Sequence, residues 1–272
     1  MKTHIKIFFS LLLILGLTSC ETVVDIDLPT AKPRLVVEAN LDFDLKAPSP
    51  NQMIRLSLTT DFYAPEIPVV NQAEVSIESG AGRVYTFVEK AQSGEYHCDY
   101  FVPQLNETYT LRVVYNQETY EATEQLMEVP QIERVEQTIT TILGTDVYEI
   151  TTYFQDDPQA DNYYLVRYEL EGEKNSYSVF DDKFSQGNLM KTSYFNDELE
   201  IGDRLDIRLY GISKSYYNYM NTLLSITQGG GGPFDVPTGQ VRGNVLNTTA
   251  KDNYALGFFR LTIYDHASPV VH

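Results

Sequence analysis

Tryptophan is absent from this 272-residue chain, cysteine occurs twice, histidine four times, and acidic residues outnumber basic ones 38 to 20. Each shortage narrows the field. A formal charge of −18, with no basic stripe to offset it, disfavours nucleic acid and anionic headgroups as partners. Lack of tryptophan removes the strongest sugar-stacking side chain. The 20 tyrosines offer a rigid apolar body with a polar tip in its place. The two cysteines, Cys20 and Cys98, are too few and too far apart for a paired-thiol metal site. Cys98 sits in Tyr96-His97-Cys98-Asp99-Tyr100, alternating with two tyrosines, and reads as a small core side chain on a strand.

Catalytic patterns are missing as well. His97, His266 and His272 follow no nucleophile elbow, and no Gly-x-Ser-x-Gly, His-Glu-x-x-His, Walker loop, dinucleotide fingerprint or EF-hand loop occurs. The expectation is a non-enzymatic protein with no catalytic residue, cofactor or metal. Carboxylates are numerous enough that counting leaves a glycosidase pair open. One cluster stands out: Asp156, Asp157 and Asp161 surround Pro158. It reads as a solvated turn, with a cation or sugar-hydroxyl site as its functional alternative.

Long apolar runs are also scarce, and the single one is at the start. Ile7 to Leu17, behind Lys2, His4 and Lys6, is roughly a dozen residues, short of the about 20 that span a bilayer and right for a signal-peptide core. It ends Leu17-Thr18-Ser19-Cys20, the pattern of a bacterial lipobox. Residues 1–19 are therefore expected to be a lipoprotein signal peptide, with Cys20 as the lipid-attachment residue. Several acyl chains at about 0.8 kcal/mol per buried CH₂ would make such an anchor permanent. With Cys20 acylated, Cys98 has no disulfide partner. Residues 20–33 form the lipidated tether.

From Arg34 onward the period is two. Leu35–Ala39, Met53–Leu58, Ala73–Ile77, Val84–Val88, Glu95–Phe101, Tyr109–Tyr115 and Thr119–Ala122 alternate apolar and polar side chains between turn-rich segments. Seven short strands of this kind predict a β-sandwich over residues 34–129, of immunoglobulin-like or transthyretin-like topology. Val129-Pro130 marks the expected boundary. A second β-rich domain, 130–272, follows with Ile132–Leu143, Tyr148–Phe154, Tyr163–Tyr168, Tyr177–Phe180 and Leu205–Ile212, and it closes on Tyr254–Tyr264. Between these the period switches. Ser213 is a plausible N-cap, and Tyr216, Met220, Leu223, Leu224 and Thr227 fall at helical spacing, predicting one amphipathic helix near 214–227 that lies across a sheet. Gly229 to Gly232 then make a glycine loop.

Several segments resemble a known family when taken in order. Ile26-Asp27-Leu28-Pro29 and Pro33-Arg34-Leu35-Val36-Val37-Glu38 follow Cys20. Arg55-Leu56-Ser57-Leu58-Thr59, Ala73 with Val75, Gly94 with Tyr96, Tyr109 with Leu111, and Tyr120 with Ala122 come next. The second half adds Asp157-Pro158, Asn162-Tyr163-Tyr164, Gly243-Asn244-Val245 and Leu256-Gly257-Phe258-Phe259. The series resembles the domain of unknown function 4249 lipoproteins of Bacteroidota. That resemblance implies an outer-membrane lipoprotein, encoded beside a TonB-dependent receptor of the SusC kind and acting as its accessory or binding subunit. The alternative is an independent surface adhesin for glycan or peptide. The implied location is the outer membrane, held by lipid on Cys20, with the cell surface preferred over the periplasmic face. The family supplies no catalytic residues to carry over.

Overall fold

Alternation alone accounts for the first strand. In β1 (Leu35–Asp44) the side chains of Leu35, Val37, Ala39, Leu41 and Phe43 are buried, while Glu38 and Asn40 face outward. The same logic yields β2 (Gln52–Leu58), β3 (Glu74–Ser79), β4 (Val84–Glu89), β5 (Glu95–Cys98), β6 (Thr108–Tyr115) and β7 (Glu118–Gln125). These are the seven strands expected of the first half. The computed structural model describes residues 32–61, 64–228 and 241–272. The expected signal peptide, Cys20 with the tether as far as residue 31, and the glycine loop 229–232 lie outside those residues.

The second half contributes β8 (Ile132–Ile142), β9 (Thr145–Gln155), β10 (Tyr163–Leu170), β11 (Ser176–Asp181), β12 (Leu189–Asn196), β13 (Leu205–Gly211), the helix α1 (Lys214–Gln228), β14 (Leu246–Asn247) and β15 (Leu256–Ala267). Among the described residues the fold is mainly β, with sandwich-like sheets and one amphipathic helix, as the periodicities predict. One sheet runs β11-β10-β13-β15-β1-β2-β5-β4-β3-β6-β7-β14, and a second runs β12-β9-β8. The long sheet folds over at β4, which pairs with β5 through Val88 and Glu89 and with β3 along most of its length. The two layers so formed close on a core that includes Leu41, Ile54, Ile77, Tyr96 and Leu111. Phe101 sits at its centre, edge-on to Tyr85 at 4.8 Å and to Tyr109 at 5.6 Å between ring centroids. Burying each such side chain contributes about 1.5–3 kcal/mol. Cys98 is buried here beside Tyr96, in the core role its spacing predicts.

Strand β15 joins the two halves. It pairs in parallel with β1 from Val36↔Leu256 to Asp44↔Tyr264, and antiparallel with β13 on its other side. Phe259 and Leu261 thereby enter the first core although they lie far past residue 129. A second core, with Phe154, Tyr164, Val166, Ile207 and Leu209, fills the space between β10, β13 and the three-stranded sheet. Register places both cores on one face of the long sheet, since Leu209 lies opposite Asp265, two residues along β15 from Ile263. Asp265 itself is fully buried and accepts a hydrogen bond from the Ile132 amide at 2.8 Å, fixing the start of β8.

The opposite face is left for α1. Ser213 caps it, its Oγ accepting from the Tyr216 amide at 3.2 Å. Tyr216 and Met220 then pack with Leu165, Tyr210, Ile212 and Phe258. The apolar stripe lies across the sheet as its spacing predicts.

Glu124, near the end of β7, is buried beneath the start of this helix. Its Oε1 accepts from Ser215 Oγ at 3.0 Å, Ser213 Oγ at 3.2 Å and Asn244 Nδ2 at 3.2 Å. Burial pushes the carboxyl above its ordinary value of 4.5, with Ser215 and Ser213 opposing the shift. A carboxyl raised on folding holds its proton more firmly in the native state. Its stabilising contribution is therefore complete below 4.5 and is lost as pH rises through the folded-state value. Glu124→Gln should flatten this part of the stability profile and unfold at a higher temperature than the parent at neutral pH. Thermal melts from pH 4 to pH 8 check it, and parallel profiles for the two proteins would contradict it.

Candidate functional site

Because α1 covers only part of the sheet face, a cleft of about 500 Å³ remains beside it. Its floor follows from strand periodicity. On β1 the residues that do not enter the core, Glu38, Asn40 and Asp42, stand in a row roughly 6.5–7 Å apart. Next to them on β15 come Phe258 and Arg260, with Asn40 in register with Arg260. Tyr210 of β13, Leu165 and Arg167 of β10 and Tyr177 of β11 complete the floor, and Tyr216, Tyr219, Met220, Leu223 and Leu224 of α1 form the wall.

Arg260 anchors the site. It is 7 % exposed, and its Nη2 donates to both oxygens of Asp42, at 2.5 and 2.6 Å. Nη1 donates to the Tyr216 hydroxyl at 2.9 Å. The guanidinium also lies over the Tyr216 and Tyr210 rings, 4.8 and 5.1 Å from their centroids. Burial by itself would lower its pKa, but Asp42, Tyr216 and Tyr210 outweigh it and hold the charge more firmly than in water. Burial pushes the Tyr210 phenol up to about 12, with Asp42 adding to the shift. It raises Tyr216 too, against the pull of Arg260. Both phenols are neutral at physiological pH and act as hydrogen-bonding groups.

Arg167 is held in turn by Glu169 at 2.7 Å. Among the described residues, Nε of Arg167 and Nε of Arg260 find no protein acceptor. Glu38 and Asn40, both exposed, make no side-chain hydrogen bond among those residues. The cleft thus combines two paired arginines, aromatic walls and uncommitted polar groups, among them the unpaired Glu38 carboxylate. That is the make-up of a small-ligand pocket in the usual size range of about 300–1,000 Å³.

The aspartates singled out from sequence lie elsewhere and do not converge. Asp156 is 1 % exposed and accepts from the Tyr164 hydroxyl at 2.5 Å and the Gly187 amide at 2.8 Å. Burial raises the Tyr164 phenol, and the hydrogen bond to Asp156 adds to it. Asp157 accepts from the Gln159 amide at 2.9 Å within the turn, and Asp161 is exposed. Among the described residues no group of three His, Cys, Asp or Glu is placed to hold a metal ion. Asp156 is thereby a structural acceptor inside the second core, and its two neighbours are turn residues. Cys20 lies outside the described residues.

Sequence reasoning passes over Glu38, Asn40, Asp42 and Arg260, which β1 and β15 bring together. The polar half of β1 is indistinguishable from any solvated strand face. Arg260 does carry a signal, being one cation inside the apolar run Leu256–Tyr264 of a central strand, and a buried cation requires a partner.

Solved structures with some likeness to this chain include a cytokine receptor complex, at TM-score 0.26 and 9 % identity over 66 % of this chain and 86 % of that one. A two-domain fibronectin type-III segment of chicken tenascin gives TM-score 0.22 and 11 % identity, over 66 % and 91 %. Salmonella alpha-2-macroglobulin gives 0.26 and 9 %, over 91 % of this chain and 15 % of that one. No curated protein matches the chain at a significant level. A family pattern described as domain of unknown function 4249 matches residues 21–264, which takes in strands β1 to β14, the helix and nearly all of β15. The chain belongs to the domain of unknown function 4249 family.

Proposed function

We propose that the protein is a lipid-anchored outer-membrane binding protein, acting as a non-enzymatic accessory subunit of a TonB-dependent, SusC-like transporter. The observation that carries the binding role is the cleft beside α1, where Glu38 and Asn40 are uncommitted and aromatic side chains form the walls. The anchor rests on Leu17-Thr18-Ser19-Cys20, and the transporter partner on the family resemblance. The tether from Glu21 to Lys32 reaches about 40 Å at most when extended, so the first sandwich would stay within touching distance of an integral barrel. A carrier of this kind presents cargo to the barrel and needs no reacting group of its own.

Native outer membranes supply the test. The full chain, isolated by an affinity tag in mild detergent, is expected to bring a TonB-dependent barrel with it. Cys20→Ala is expected to move nearly all of the protein into the soluble fraction. Isolation with no barrel partner would refute the accessory role, and membrane retention of the variant would refute the anchor.

A further inference from the structure

We infer that the cleft beside α1 takes a neutral, hydroxyl-rich ligand of mono- or disaccharide size, a reading that rests on the binding role proposed above. Charge is the first argument. Arg260 is matched by Asp42 and Arg167 by Glu169, so an anionic ligand would have to break an existing pair to gain one. Mixed hydrogen bonding is the second. Glu38 offers only acceptor oxygens, whereas the Asn40 amide offers both a donor and an acceptor. A hydroxyl group, which both donates and accepts, uses the whole row, whereas a purely cationic group would use the Glu38 and Asn40 oxygens and leave the Asn40 amide N–H groups without a partner.

Strand pairing decides between a saccharide and an extended peptide. β10, β13, β15 and β1 each have a neighbour on both sides, so a peptide backbone could add only at β11, four strands and roughly 19 Å from the Glu38 and Asn40 row on β1. Recognition has to come from side chains rising off a sheet face. Tyr219, backed by the buried Phe258 ring at 5.0 Å between centroids, places aromatic surface in the cleft that Glu38 and Asn40 line. That combination suits the apolar face and hydroxyl rim of a sugar ring.

A glycan array carrying neutral, amino and uronic saccharides, probed with the labelled full chain in a sugar-free zwitterionic detergent, tests this. Signal is expected on neutral saccharides. It should fall at least tenfold in Asn40→Leu and in Tyr219→Ala, and hold in Tyr100→Ala, which lies on the first sandwich. Asn40 is exposed and unbonded, so its replacement leaves the fold intact, as circular dichroism will show. No signal, signal confined to charged saccharides, or signal indifferent to Asn40→Leu would each overturn the inference. Barrel isolation without saccharide binding would overturn the ligand class alone, and saccharide binding without a barrel would overturn the accessory role alone.

Discussion

Gly257→Ala in the full chain is expected to cost on the order of 3 kcal/mol or more and to leave little folded protein at 37 °C. Gly257 opens β15 with φ at +88°, and a Cβ placed there would lie 2.0 Å from the Val37 carbonyl oxygen. The close approach occurs one residue pair past the start of the parallel pairing of β15 with β1, at Val37↔Gly257. Relief would require that pairing to open, and the first core would lose the alignment of Phe259 and Leu261. A second approach comes from the other side, since a Cβ on Gly243 would lie 1.5 Å from the Gly257 carbonyl oxygen. Asn244 then uses its side-chain amide as a substitute strand, donating to the Phe259 carbonyl at 2.8 Å and accepting from the Phe259 amide at 2.9 Å. The segments Gly243-Asn244-Val245 and Leu256-Gly257-Phe258-Phe259 are therefore one construction. Gly82→Ala is the matched control. Its φ is +83°, but nothing lies within 4 Å of the added Cβ, so it carries only the conformational cost of about 1 kcal/mol. Equal denaturant midpoints for the two variants would show that crowding against Val37 is not what Gly257 relieves.

That junction also marks where sequence reading stops. The first sandwich is legible because each of its strands has one buried and one solvated face, and a period of two survives any topology. Helix α1 is legible for the same reason at a period of 3.6, with Ser213 as its start. Strand β12 is missed because Met190 is the one side chain in it that is buried, leaving almost no alternation to detect. Parallel pairing of β1 with β15 is not legible, for it joins segments more than 200 residues apart and leaves no local mark. The site suffers from the same blindness. Asp156, Asp157 and Asp161 attract attention because they are neighbours in sequence, yet Asp156, just past the end of β9, turns inward to Tyr164 while the others stay on the turn. Asn40 and Arg260 are in register across two strands, and proximity of that kind comes from pairing rather than sequence. The one local clue is Arg260, a cation where every neighbouring position calls for an apolar side chain.

Arg260 accordingly carries the other large effect. Arg260→Ala is expected to destabilise the protein by about 3–5 kcal/mol, because it strands the Asp42 carboxylate and the Tyr216 hydroxyl beside a void. Asp42→Ala should cost a comparable amount through the opposite loss, leaving a buried guanidinium with no counter-charge. If each single replacement is costly because it abandons a charged partner, removing both partners together should cost far less than the sum. With Arg260→Met and Asp42→Leu made singly and together, the double variant is expected to recover at least about 2 kcal/mol relative to additive behaviour in a double-mutant cycle. The same variant should lose the tie between β15 and α1 made by Arg260 Nη1 and the Tyr216 hydroxyl. Amide exchange along Lys214–Gln228 would then quicken even where global stability is restored. Denaturant unfolding of the four proteins in the cycle, with exchange rates for the helix, reads both quantities. Additive energies would mean that the pair is held in place by the fold. Coupled energies with faster helix exchange would mean that the pair holds the helix, and with it one wall of the cleft.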